Sequence, residues 1–225
     1  MLYAPISNFQ TVFRDVAWSV GLTWVVVQLV LLWLLVDLVS GVLHWAEDRY
    51  GAMETPLLGE TIRKNILHHY RPRHITRISF LACVGPTVAI NLGTFAVLLM
   101  TVGLRWQVVA FIGMGMSVNA VHRWAHSTPS ELHVVIRSLQ RARLIQTPAH
   151  HAKHHGLPRL THYCAFTNVL NPVLDHLQAW RRAERLIHLL TGVSPRIDES
   201  LPDHGPTPEW VKDIDRRYRV SRSDW

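Results

Sequence analysis

Charge is scarce in this chain, negative charge most of all. Asp and Glu total 16 of 225 residues, against 23 Lys plus Arg, and charged residues make up only 17%. With 48% hydrophobic residues, that excludes intrinsic disorder, which needs many charges and few apolar side chains. Cysteine is nearly missing: Cys83 and Cys164 are too few for a disulfide framework or a thiolate zinc cluster. The sequence has no phosphate-binding loop, no dinucleotide fingerprint, no His-Glu-x-x-His and no Cys-x-x-Cys-His. What it has are long apolar runs and 15 histidines. The formal net charge is +7 and the mean hydropathy +0.10. A nucleic-acid binder would spread such charge over a polar chain. Here it flanks apolar runs, which points to a membrane protein with basic cytosolic loops and no nucleic-acid partner.

The stretch Val16–Val36 carries no charge for 21 residues. That is enough to cross a hydrocarbon core of roughly 30 Å at about 1.5 Å per residue. It is long for a signal-peptide core and has no small-x-small cleavage site, so it reads as a first span. A second run, Ile78–Leu104, lies between Arg77 and Arg105, and its Pro86 and Gly93 are tolerable in a membrane helix. The third, Trp106–Val121, has 16 residues and follows a hairpin at Gly103. It is expected to continue as a helix through His122 and His126. Lys plus Arg number 1 before the first span, 6 between the first and second, 1 in the hairpin and 15 from Arg123 onward. The positive-inside rule then puts the N-terminus outside and both basic segments in the cytosol. The expected fold is all-α: a multi-pass integral membrane protein with about three transmembrane helices plus cytosolic or interfacial helices. Leu132–Ile145 and Leu170–Leu190 read as amphipathic helices of that second kind. Residues 1–192 form the expected membrane domain and 193–225 a polar, loosely held tail.

The histidines are grouped. His44 lies at the cytosolic end of the first span, and His68 and His69 are adjacent in the first cytosolic segment. His122 and His126 form H-x-x-x-H, and His150, His151, His154 and His155 stand in HHAKHH. All four groups fall on the cytosolic side by a topology derived from Lys and Arg alone. Residues three or four apart share a helix face, so His122 with His126, and His151 with His154 or His155, can hold one ion together. His154 and His155 diverge by roughly 100° and can reach two different ions. Eight histidines are too many for one centre and suit two, of a metal that takes imidazole. Asp48, one turn beyond His44, is the candidate catalytic carboxylate, either ligating a metal or fixing an imidazole. Asp37 lies inside the apolar stretch, where a carboxylate is costly. It is expected to hold a polar group on the second or third span. Gly41 is expected to let another helix approach closely. His150, His162, Asp37 and Asp175 are further candidates, for the metal or for holding its ligands.

Six segments in order carry a family resemblance: DLVSGVLHWAEDRYG (37–51), HHYRPRHIT (68–76), VHRWAH (121–126), PAHHAKHH (148–155), THYCAFTNVLNPVLD (161–175) and WRRAERLIHLLTG (180–192). The sequence resembles the CarF-type lipid desaturases, the family of plasmanylethanolamine desaturase, with a plant relative acting on plastid phosphatidylglycerol. The resemblance implies an oxidoreductase of lipid metabolism that uses O2 and a histidine-bound di-iron centre, with zinc a possible substitute in purified protein. It implies His44, His68, His69, His122, His126, His151, His154 and His155 as metal ligands. The substrate it implies is a 1-O-alkyl (plasmanyl) ethanolamine phospholipid in the bilayer, converted to the vinyl ether of a plasmalogen. An acyl-lipid desaturase or hydroxylase of the same di-iron class is the alternative, and a non-enzymatic membrane metal-binding protein is a further one. One departure is Arg159, near Pro158, where the family pattern leads one to expect another histidine; His162 lies three residues on. Without a flavin or haem motif, electrons must come from an external donor of ferredoxin or cytochrome b5 type. Oligomeric state is not legible.

Overall fold

The computed structural model describes residues 6–56, 58–198, 200 and 205–218, with side chains from Val20 onward. The described residues are helical or irregular, with no strand among them. Helix α1 (Ile6–Tyr50) has 45 residues and is about 68 Å long, twice the thickness of a hydrocarbon core. Its two halves differ. From Val20 to Leu35 nearly every large apolar residue is exposed, as lipid-facing residues would be. From Val36 onward, Val36, Asp37, Ser40, Gly41, His44, Trp45 and Asp48 are buried. That spacing of three and four makes one helix face, and it carries the polar residues to which the rest of the chain is fastened.

Helices α2 (Gly59–Tyr70) and α3 (His74–Arg77) lead to α4 (Phe80–Thr101), the second helix long and apolar enough to cross a membrane. Ser79 caps α4 by accepting from Ala82 N, satisfying an end donor that apolar surroundings would leave orphaned. Gly103, at φ +80°, makes the hairpin turn into α5 (Trp106–Met116), which packs against both α4 and α1. Inside the apolar layer Gln107 donates to Gln28 Oε1 at 2.7 Å, tying α5 to α1. The third apolar run is not one helix: it breaks at Ser117, whose hydroxyl donates to Met114 O at 2.7 Å, and resumes as α6 (Val118–Ala125). Leu132–Ile145 contains only the short α7 (Val134–Arg141). Then come α8 (Pro148–His155), α9 (Leu170–His176) and α10 (Ala179–Thr191). The expected single helix over 170–190 is divided at Gln178, in the left-handed region at φ +50°.

The core lies beyond the lipid-facing half of α1. Val36, Val121, Ile145 and Phe166 form one cluster, and Trp45, Tyr163, Cys164 and Trp180 another. After residue 192 the chain returns to the end of α1: Arg196 N donates to Arg49 O. Helix α11 (Glu209–Tyr218) docks on α2: Arg71 Nε donates to Asp215 Oδ1 at 2.8 Å, and Val211 is fully buried.

Candidate metal centre

Four helices bring their histidines to one place, in two groups. His68 (α2), His122 and His126 (α6 and its C-terminal cap) and His151 and His155 (α8) form the first. His44 and Asp48 (α1), His69 (α2) and His154 (α8) form the second. Each adjacent pair is split: His68 from His69, and His155 from His154.

In the first group the imidazole Nε2 atoms face one another. His122 Nε2 is 3.0 Å from those of His68 and His151, and His155 Nε2 is 3.0 Å from His68 and 3.1 Å from His151. The centre of a square with such edges lies about 2.1 Å from each corner, the usual metal–imidazole bond length. His126 Nε2 is buried without a hydrogen-bond partner among the described residues. Burial, reinforced by the neighbouring imidazoles, holds His68, His151 and His155 well below the ordinary imidazole pKa. The same causes bring His126 to about 3. These side chains are neutral at pH 7, the form that binds a metal.

The second group is built on a carboxylate. His69 Nε2 stands 3.2 Å from Asp48 Oδ1, and His154 and His44 Nε2 stand 3.4 and 3.6 Å from Oδ2. The other ring nitrogen of each histidine donates outward: His44 Nδ1 to Tyr163 O (3.0 Å), His154 Nδ1 to Thr161 O (2.9 Å) and His69 Nδ1 to Asp198 Oδ2 (3.1 Å). Such bonds fix the tautomer that presents Nε2 inward. Asn65 Nδ2 donates to Asp48 Oδ1 at 2.5 Å, orienting the carboxylate. Burial opposes charge on His69, but the Asp48 and Asp198 carboxylates outweigh it and raise its pKa to about 9. Three neutral-capable imidazoles and a carboxylate suit a divalent transition metal. Both groups therefore fit a metal ion by the chemistry and aim of their donors.

Asp37 does not hold a polar group on α4 or α5, as the sequence led us to expect. Fully buried, it accepts from Phe166 N (3.2 Å), Thr167 N (2.7 Å) and Thr167 Oγ1 (2.7 Å). Ser40 Oγ accepts from Ala165 N. At Gly41 the close neighbour is this strap and not another helix: a Cβ there would lie 2.5 Å from Cys164 Sγ. The strap 161–167 supplies both carbonyls that orient His44 and His154, so Asp37 supports the second group from a distance. His150, His162 and Asp175 lie outside both groups. His150 Nε2 accepts from Asn171 Nδ2 at 3.1 Å, and His162 Nδ1 is 2.7 Å from Asp175 Oδ2.

Beside the histidines a cavity of about 320 Å³ runs between α1 and α4, floored by α5 and α6. His44, His68 and His122 form part of its wall, and most of the remainder is apolar. The sequence profile of the lipid desaturase domain matches residues 33–198, which include every residue of both histidine groups. The chain belongs to the lipid desaturase family.

Among the relatives of this chain, the plasmanylethanolamine desaturase of Myxococcus xanthus is 36% identical over 187 residues, covering 79% of this chain and 66% of the relative. Plasmanylethanolamine desaturase 1 of Mus musculus is 33% identical over 181 residues (74% and 66%). The chloroplastic fatty acid desaturase 4 of Arabidopsis thaliana is 30% identical over 188 residues (81% and 56%). The chain thus spans between about half and two thirds of the length of these relatives. No solved structure is significantly similar to it. The family, its oxidoreductase class and a membrane setting agree with the sequence reading. Sequence reasoning missed Asp198, Asn65, Thr161 and Tyr163. Asn65 stands one turn before His69 but serves Asp48, Thr161 acts through its backbone carbonyl, and Tyr163 and Asp198 reach His44 and His69 across 119 and 129 residues, so the histidine spacing did not expose them.

Proposed function

We propose that this lipid desaturase is O2-dependent and holds two iron ions. His68, His122, His126, His151 and His155 hold one, and His44, His69 and His154 with Asp48 hold the other. The observation that carries this reading is the meeting of the two donor groups with the apolar cavity, whose wall includes histidines of both. Removing hydrogen from an unactivated C–H bond is beyond any side chain, and the irons, with O2 and external electrons, supply that oxidation. The protein's residues fix the imidazoles, exclude water and hold one pair of carbons against the site. Zinc suits the same donors and is the expected substitute in purified protein.

The substrate is a phospholipid reaching the cavity sideways from the bilayer between α1 and α4. The names of the bacterial and mouse relatives favour a 1-O-alkyl ethanolamine phospholipid, oxidised to the vinyl ether of a plasmalogen. The plant relative's name supports a second reading, oxidation of an acyl chain, which the same site would serve. The N-terminus lies outside and the site faces the cytosol, by the distribution of Lys and Arg. An acidic electron donor of ferredoxin or cytochrome b5 type docks on the exposed Arg141 and Arg143. Arg71 and Arg73 are engaged by Asp215 and Glu131.

The test is metal per chain in protein from iron-supplemented cells, beside lipid products of the reconstituted enzyme. About two irons and new vinyl ethers are expected. Double bonds in acyl chains alone would establish the second reading. Folded protein that takes up no metal would end both.

A further inference from the structure

The cavity beside the histidines has a charged end. Glu47 lies one turn past His44 on α1, and Lys64 one turn before His68 on α2; both side chains line the cavity. The Glu47 side chain forms no hydrogen bond and no ion pair among the described residues; its backbone carbonyl accepts from Gly51 N. Lys64 has only a 3.7 Å contact to Glu60, in which both side chains are about half exposed, an arrangement that solvent screens. The Glu47 carboxyl and the Lys64 amine share one cavity without pairing with each other. Away from this end, past the histidines, the α1 side of the lining turns apolar, with Leu43, Val39 and Val36 descending the helix, while Thr87, Asn91 and Thr94 on α4 and Asn119 on α6 add polar groups opposite. The order along the cavity is therefore charged end, metal-facing histidines, apolar lane.

We propose that Glu47 and Lys64 form a head-group subsite for a zwitterionic phospholipid carrying a primary ammonium. The ammonium meets the Glu47 carboxylate and the phosphate meets Lys64, while the chain lies along the apolar lane. A carboxylate at this position discriminates in two ways. It repels an anionic head group that has no cation, such as glycerol phosphate. It also favours a primary ammonium over a quaternary one, because only the former donates N–H hydrogen bonds. Placing the head one helical turn from His44 and His68 puts the first few atoms of the chain against the metal groups. The inference rests on the desaturase reading only in taking the cavity's ligand to be a phospholipid.

The test reads binding, without turnover. Iron-loaded chain is mixed with vesicles of equal parts phosphatidylethanolamine, phosphatidylcholine and phosphatidylglycerol of identical acyl chains, then repurified. Its retained lipids are counted by mass spectrometry. The wild type should retain the ethanolamine lipid over the glycerol lipid by about tenfold, the size of one charge-assisted hydrogen bond. Glu47→Gln should remove most of that preference, Glu47→Lys should reverse it, and Lys64→Gln should lower retention of all three. Iron content reports folding for each variant. Head-group ratios unchanged from wild type in iron-loaded Glu47→Gln or Glu47→Lys would overturn the subsite. A chain that oxidises no lipid yet shows these shifts keeps the subsite and loses the desaturase reading; one that oxidises lipid without the shifts does the reverse.

Discussion

Adjacent histidines face different donor groups here. On α2 and α8, neighbours point roughly 100° apart, so His68 and His155 turn to the five-histidine group while His69 and His154 turn to Asp48. His151→Ala and His154→Ala should therefore each lower iron from about two to about one per chain, and the double variant should retain none. Metal analysis decides this; loss of both ions in either single variant would mean one shared centre. Asp37 acts at a distance. Asp37→Asn replaces an oxygen that accepts from the 166–167 strap with an N–H2 facing a donor, at a cost of roughly 1–3 kcal/mol. The strap's Tyr163 carbonyl then holds His44 less firmly. We expect iron affinity of the Asp48 group to fall by about tenfold, with the five-histidine group unaffected. Equal weakening of both ions in a metal titration would contradict that route. The histidine spacings and the double pair could be read from the sequence because helical geometry is local. Asp198 could not, because it lies 129 residues from His69 and only tertiary packing brings it there.

At the scale of elements, α1 does most of the organising. Its outer half is fitted to lipid and its inner half is a polar seam to which the strap is fastened. Gly41 is the closest point of that seam, and Gly41→Val should force the strap away from α1. Overpacking of this kind costs roughly 1–3 kcal/mol. The melting temperature should drop, and the iron of the Asp48 group should be lost before the other. Unchanged melting and metal content would show that the strap shifts freely. The apolar runs located α1, α4 and α5, because hydrophobic length is written in composition. Breaks inside runs were less legible. At Ser117 the helix stops although the apolar pattern continues: the Ser117 hydroxyl donates to the Met114 carbonyl, and α6, which carries His122, begins at Val118. At Gln178 the left-handed turn between α9 and α10 carries no glycine to announce it.

For the whole molecule, these buried titrations set the pH range of the metal-free state. His68, His151 and His155 have pKa values depressed by burial and mutual repulsion, and His126 is brought to about 3, against 6.5 in the unfolded chain. Below 6.5 the unfolded chain takes up protons that the folded chain refuses. Stability therefore falls with falling pH, by roughly 1.4 kcal/mol per pH unit for each such histidine. His69 has the opposite sign. Raised to about 9 by the Asp48 and Asp198 carboxylates, its contribution is complete below 6.5 and is lost as pH rises through 9. Chelator-treated protein should thus be most stable near pH 6.5, should weaken towards pH 9 as the His69 contribution is lost, and should melt several degrees lower at pH 5.5 than at 7.5. Bound iron competes with protons for the same nitrogens, so at pH 7.5 the loaded protein should melt higher than the stripped one and should release metal on acidification. Melting curves of both forms at pH 5.5, 6.5, 7.5 and 9.5 measure this directly. A stripped protein whose melting temperature does not change between 7.5 and 5.5 would mean that these histidines are already protonated or solvated when folded. The compact arrangement of neutral imidazoles would then not be the resting state of the metal-free chain.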